Sequence, residues 1–213
     1  MPTIDFPIYL ITDRRQTGGR PLQSVVRQAL EGGVRALQLR EKDLPGGELY
    51  ALAAELRRIT REYGARLIIN DRPDIALAVE ADGVHLGKDG LPVAAARRLL
   101  GPRHLIGYSA HAVDEAVRAE ADGADFVTFG PVYYTPSKAA YGAPLGPEAL
   151  RAAAAALAIP VFALGGIKRD NIAAVMAAGA SGIALISAVM AVPDPRAAAQ
   201  SLLRAIEEHA INP

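Results

Sequence analysis

The chain has 213 residues, 51% of them hydrophobic, and its 23 basic and 23 acidic side chains leave zero formal net charge, which argues against a nucleic-acid binder or a polybasic membrane protein. Cysteine is absent, so disulfides and thiolate chemistry are excluded. No apolar run has the length of a membrane span, and residues 1–15 lack the basic, apolar and small-residue regions of a signal peptide, so a cytoplasmic protein is expected.

Short β-branched or apolar runs alternate with Ala/Leu/Arg-rich stretches of helical spacing. In chain order the predicted strands cover residues 8–12, 36–40, 66–69, 83–86, 105–108, 126–129, 161–163 and 182–186. Most are apolar throughout, as strands buried on both faces require. Predicted helices lie between and after them, at 22–31, 47–63, 74–80, 93–100, 113–121, 147–156, 170–178 and 195–209. Gly-containing turns such as Glu31-Gly32-Gly33 and Ala121-Asp122-Gly123 mark the helix-to-strand steps. No linker or low-complexity segment interrupts the recurrence. The expectation is an α/β chain forming one (β/α)8 TIM barrel over residues 1–213. A doubly wound open sheet is the rival, and the lack of G-x-G-x-x-G after the first strand counts against it.

Catalytic groups of such barrels sit where strands end. After the first strand comes Thr12-Asp13-Arg14-Arg15. The second ends in Gln38-Leu39-Arg40-Glu41-Lys42, where alternation puts Gln38, Arg40 and Lys42 on one line. An amide and two cations aimed one way suit an anion or heterocycle; an Arg–Glu pair at a strand end is the competing account. The third ends in Asn70-Asp71-Arg72. Asp71 would either hold Mg2+ or cap the helix begun by Pro73. His85, late in the fourth strand, reads as a packed barrel histidine. Ser109 and His111 follow the fifth strand. The segment Thr135-Pro136-Ser137-Lys138 after the sixth offers two hydroxyls and an ammonium to a phosphate, or forms a solvated turn. Gly165-Gly166 after the seventh and Ile186-Ser187 after the eighth suit phosphate binding through backbone N–H groups. Only four of the 23 cations are lysine, and Lys42, Lys88, Lys138 and Lys168 all fall just after an apolar run. The predicted ligands are therefore small phosphorylated molecules, with no nucleic acid and no membrane, and a homo-oligomer is compatible with the sequence.

The ordered set Tyr9–Asp13, Gln38–Lys42, Ile69–Arg72, Gly83–Gly87, Gly107–His111, Gly130–Tyr133, Thr135–Lys138, Gly165–Ile167 and Ile186–Ala188 resembles the thiamine-phosphate synthase family along essentially the whole chain. The resemblance implies a barrel transferase that condenses hydroxymethylpyrimidine diphosphate with a thiazole phosphate, assisted by Mg2+. By the same resemblance, Gln38, Arg40, Lys42, Asn70, Ser109 and Lys138 would hold the pyrimidine diphosphate, with Arg40, Lys42 and Lys138 the catalytic cations. Thr135, Ser137, Gly166, Ile186 and Ser187 would hold the thiazole phosphate, and Asp71 would bind the metal. The family carries a second acidic metal ligand where this chain has Gly90; Asp89 beside it is the candidate substitute. A tautomerase branch of the family is similar, but has a catalytic histidine where this chain has Pro131. A catalytically silent barrel that binds thiamine-related phosphates, and an unrelated barrel using Lys42 or Lys138 as a Schiff base, complete the alternatives.

Overall fold

The computed structural model describes residues 3–135 and 143–210, apart from the Ala210 side chain. Eight parallel strands close into a barrel in chain order, with β8 returning to pair with β1. The strands are β1 (Ile8–Ile11), β2 (Ala36–Leu39), β3 (Arg66–Asn70), β4 (Gly83–Leu86), β5 (Leu105–Ala110), β6 (Phe126–Phe129), β7 (Val161–Leu164) and β8 (Gly182–Leu185). Among the described residues the helices are α1 (Leu22–Glu31), α2 (Gly46–Glu62), α3 (Pro73–Ala78), α4 (Val93–Leu100), α5 (Val113–Ala121), α6 (Gly146–Ala156), α7 (Ile172–Ala177), α8 (Ser187–Met190) and α9 (Pro195–Ala210).

Side-chain alternation divides the apolar residues into two cores. Outward strand residues such as Leu10, Leu37, Leu67 and Val127 pack under the helices. Each helix contributes one apolar stripe; in α1 it is Leu22, Val25, Val26, Ala29 and Leu30, the i, i+3, i+4, i+7, i+8 spacing of a helix face. Inward residues form a second core of Phe6, Tyr9, Ile11, Ala36, Ile68, Leu105, Phe126, Phe162 and Ala184. Its aromatic rings interlock, with Phe6–Phe162 and Tyr9–Phe126 centroids each 5.3 Å apart. Gly107 faces the same space, where a Cβ would lie 2.4 Å from both His85 and Phe126; the missing side chain is what admits those two rings.

The barrel filling therefore changes character along its axis. The end nearer the strand N-termini is aromatic and sealed by Phe6. Toward the strand C-termini the inward positions become Gln38, Asn70, His85, Ser109 and Thr128. A packed barrel with a polar upper layer leaves its chemistry at the C-terminal mouth.

Two predicted boundaries moved for a common reason. β3 runs on to Asn70 and β5 to Ala110, because polar residues continue a strand when they face a polar mouth. The predicted helix at 170–178 is a 3-10 turn at Arg169–Asn171 followed by α7. The short α8 and a 3-10 turn at Arg14–Gln16 were absent from the sequence reading.

Candidate active site

Thr12 ties the first two strand ends together. Its N–H donates to the Gln38 carbonyl at 2.9 Å, and its hydroxyl accepts from the Arg40 N–H at 3.0 Å. The Arg–Glu pair weighed for β2 forms with a different arginine. Glu41, 5% exposed, accepts from the Arg14 N–H at 3.1 Å and from the Arg14 guanidinium at 3.1 Å. Arg14 also grips Asp43 with two bonds of 2.6 Å, and that guanidinium holds the Asp43 carboxyl well below the usual carboxylate range. Arg40 is thus released: no described residue bonds or pairs with its guanidinium. Its charge still reaches the His85 ring inside the barrel.

Asp71 does not cap α3; Arg72 occupies the N-cap position, without a side-chain cap bond. Asp71 instead sits in the left-handed region at φ 55°, uncommon for a residue with a Cβ. Its N–H donates to the His85 carbonyl at 2.9 Å. One carboxylate oxygen, Oδ2, accepts from the Asn70 amide at 2.9 Å and lies 3.5 Å from the Lys42 ammonium. The other, Oδ1, is buried with no hydrogen-bond partner among the described residues. Gly90 closes over that oxygen: a Cβ at position 90 would lie 2.6 Å from it. Asp89, the proposed substitute ligand, is exposed, and its charge acts on Tyr108, an outward residue whose hydroxyl donates to Glu115 at 2.9 Å. Gly90, rather than Asp89, is the residue that faces Asp71. Among the described residues no group of three or more His, Asp or Glu side chains could hold a metal. The donor set nevertheless fits a single-carboxylate Mg2+ mode, in which phosphate oxygens and water fill the remaining positions, because Asp71 Oδ1 is a buried hard acceptor that no described residue engages.

His85 belongs to a buried relay that alternation alone did not disclose. Gln38 Nε2 donates to the Tyr9 hydroxyl at 2.9 Å, which lies 3.3 Å from His85 Nδ1. His85 Nε2 lies 2.9 Å from Ser109 Oγ and 3.4 Å from Thr128 Oγ1. Burial, and then the positive charge of Arg40, push the imidazole down to about 3, so it is neutral at physiological pH. Burial pushes the Tyr9 phenol up. Tyr9 and Thr128 were missed as site residues; their inward parity in β1 and β6 is the signal that could have found them.

The opposite rim is built from the β6, β7 and β8 ends. Val132 N–H donates to the Leu164 carbonyl at 2.8 Å and Tyr133 N–H to the Gly165 carbonyl at 3.0 Å. A Cβ on Gly165 would meet Pro131 at 2.6 Å, and one on Gly166 would meet the Tyr134 carbonyl at 2.6 Å. The two glycines thus let the β6 and β7 loops press together, a role beyond clearing space for a ligand. His111, just past β5, ties that strand end to the β6 loop, with Nδ1 2.5 Å from the Gly130 carbonyl. Thr135 is partly buried beside this rim, as are Gly166 and Ile186, while Ser187 is exposed at the start of α8. Ser137 and Lys138 lie outside the described residues. Lys42, Lys88 and Lys168 all lie on strand-to-helix loops; Lys88 and Lys168 are exposed without an ion-pair partner among the described residues.

Barrel, cationic mouth, carboxylate and glycine-built rim together define a (β/α)8 barrel enzyme of phosphorylated small molecules. The sequence profile of the thiamine monophosphate synthase family matches residues 8–189. A Geobacter sulfurreducens protein, itself provisionally assigned as a thiamine-phosphate synthase, is 61% identical over 203 residues, 95% of each chain. The thiamine-phosphate synthase of Moorella thermoacetica is 50% identical over 202 residues, again 95% of each. Among solved structures, thiamine phosphate pyrophosphorylase from Pyrococcus furiosus superposes with a TM-score of 0.88 at 42% identity, covering 96% of each chain. The chain belongs to the thiamine monophosphate synthase family.

Proposed function

We propose that this chain is a thiamine-phosphate synthase that joins hydroxymethylpyrimidine diphosphate to a thiazole phosphate and releases diphosphate. The observation that carries the reading is a pair of groups at neighbouring strand ends that no described residue satisfies: the Arg40 guanidinium after β2 and the buried Asp71 Oδ1 after β3. A cation and a carboxylate oxygen at the ends of two paired strands suit a diphosphate accompanied by a divalent metal.

The reaction breaks the bond between the pyrimidine methylene carbon and a diphosphate oxygen, and the electron pair leaves with the diphosphate. The thiazole nitrogen then donates its lone pair to the methylene cation and forms the new C–N bond. Such a step needs charge stabilisation of the leaving group rather than a protein nucleophile. Arg40 and Lys42 supply that charge, joined by Lys138. Asp71 would hold Mg2+, which when bound adds Lewis-acid stabilisation of the departing oxygens. Asn70 and Lys42 orient the Asp71 carboxylate through Oδ2. Gln38 and Ser109 meet the pyrimidine ring, while Thr135, Gly166, Ile186 and Ser187, at the opposite rim, hold the thiazole phosphate with the help of Ser137.

The test is to incubate the protein with pyrimidine diphosphate, thiazole phosphate and Mg2+ and assay thiamine phosphate. Turnover that Asp71→Asn abolishes supports the synthase. Tight thiazole-phosphate binding without product would sink it and favour the tautomerase-like or silent reading, to which Gly90 lends some support.

A further inference from the structure

We propose that Tyr9, His85 and Thr128 form a polarity-fixing relay that presents Gln38 Oε1 as an acceptor and the Ser109 hydroxyl as a donor to the barrel mouth, and so selects an aminopyrimidine over its oxo counterpart. The inference rests on the reading that this mouth takes the pyrimidine.

The number of protons available sets the order of the relay. Tyr9 has one hydroxyl proton and a neutral imidazole has one N–H. Gln38 Nε2 donates to the Tyr9 oxygen at 2.9 Å, so the Tyr9 proton goes to His85 Nδ1, 3.3 Å away. The imidazole proton must then sit on Nε2 and point at Ser109 Oγ, 2.9 Å away. The Thr128 hydroxyl donates to the same oxygen at 3.4 Å. Ser109 therefore receives two bonds and has its own proton left to offer, and it is only partly buried. At the other end, no described donor reaches Gln38 Oε1, although Gln38 is only 1% exposed. The mouth shows one acceptor and one donor, which match the amino group and a ring nitrogen of an aminopyrimidine.

One other arrangement is self-consistent. If the Gln38 amide turns over, every proton in the relay moves to its other partner. Gln38 then shows donors and Ser109 shows lone pairs, the match for a ring carbonyl and ring N–H. One feature favours the first order: the mouth beside Gln38 is cationic through Arg40 and Lys42, which draws the amide oxygen rather than the NH2 outward. The Tyr9 hydroxyl couples the two ends, so that preference at Gln38 also sets the polarity at Ser109. Tyr9 and His85 are thus positioning residues, acting on the ligand through Gln38 and Ser109.

Tyr9→Phe deletes the coupling hydroxyl and keeps the ring that packs on Phe126 and Phe162. The chain has four histidines, so long-range 1H–15N spectra, with the His85 signal assigned by His85→Gln, read the tautomer without any turnover. The expected wild-type result is a His85 Nε2–H tautomer, and Tyr9→Phe should give a mixture. In kinetics, Tyr9→Phe should raise KM for the aminopyrimidine diphosphate about tenfold, the worth of one hydrogen bond. The KM for thiazole phosphate and kcat should change little. Preference for the amino over the oxo diphosphate should narrow by a similar factor. Thermal unfolding of the variant confirms that it is folded. An Nδ1–H tautomer in the wild type, or unchanged amino/oxo discrimination in folded Tyr9→Phe, would overturn the proposal. If the wild type makes no thiamine phosphate, the synthase reading fails separately. The tautomer and the amino/oxo preference, measured then by calorimetric binding of the two diphosphates, still decide the relay.

Discussion

Asp71 combines a left-handed backbone with an empty buried oxygen, and the two features separate experimentally. Asparagine tolerates the same backbone region but lacks the charge. Asp71→Asn should therefore keep the fold and lose turnover by at least about a hundredfold, the scale of one preorganised electrostatic group; kinetics beside a thermal melt would show it. Gly90→Ala tests the neighbour. It adds only the Cβ that would lie 2.6 Å from Asp71 Oδ1, so the carboxylate must shift. Turnover should fall about tenfold or more, since small misplacements at a reacting site are costly. An unchanged rate would mean that Asp71 Oδ1 does not need its present position.

His85 carries a stability consequence at the same scale. Its folded value of about 3 lies below the ordinary histidine value of 6.5 because burial and the Arg40 charge disfavour the imidazolium. Between those two pH values the unfolded chain binds a proton that the folded chain refuses. Stability is therefore unaffected by His85 above about pH 6.5 and is lost as pH falls toward 3, by at most about 1.4 kcal/mol per pH unit. Urea unfolding at pH 7 and 4.5 should show the loss, and His85→Gln should show a shallower one.

The loops after β6 and β7 act as a pair, joined by backbone bonds and by close approach at two glycines. Gly166 has φ 66°, and its Cα faces the Tyr134 carbonyl. Gly166→Ala adds about 1–2 kcal/mol of backbone strain and a collision that must push the loops apart. The expected outcome is a KM for thiazole phosphate raised on the order of tenfold to a hundredfold, with KM for the pyrimidine diphosphate nearly unchanged; steady-state kinetics with each substrate varied would check it. Most elements were legible in the sequence because continuous apolar runs and amphipathic stripes such as that of α1 carry their own period. The α8 turn was not, because four residues are too few to show one. The capping role weighed for Asp71 failed for a related reason: a cap depends on where the side chain turns, and the φ of 55° carries it toward Asn70 and Lys42 instead.

Across the whole barrel, the aromatic interior beneath the polar relay supports the floor of the site. Phe126 contacts Phe6, Tyr9, His85 and Phe162. Phe126→Ala should cost about 3–5 kcal/mol of stability, read from urea unfolding, and should also impair the Tyr9–His85 geometry above it. Among the described residues no helix is long and apolar enough to cross a membrane.

The barrel and the order of its strands were legible in the chain alone, and so were the strand-end residues proposed for its chemistry. Those follow from hydrophobic period and from residue types at strand ends, both local properties. Only the tertiary structure decided that Glu41 pairs with Arg14 and frees Arg40, that Gly90 rather than Asp89 meets Asp71, and that Tyr9, His85 and Thr128 join Gln38 to Ser109. Each of those contacts links separate strands or loops across a closed barrel, and closure sets their distances in ways that no local spacing records.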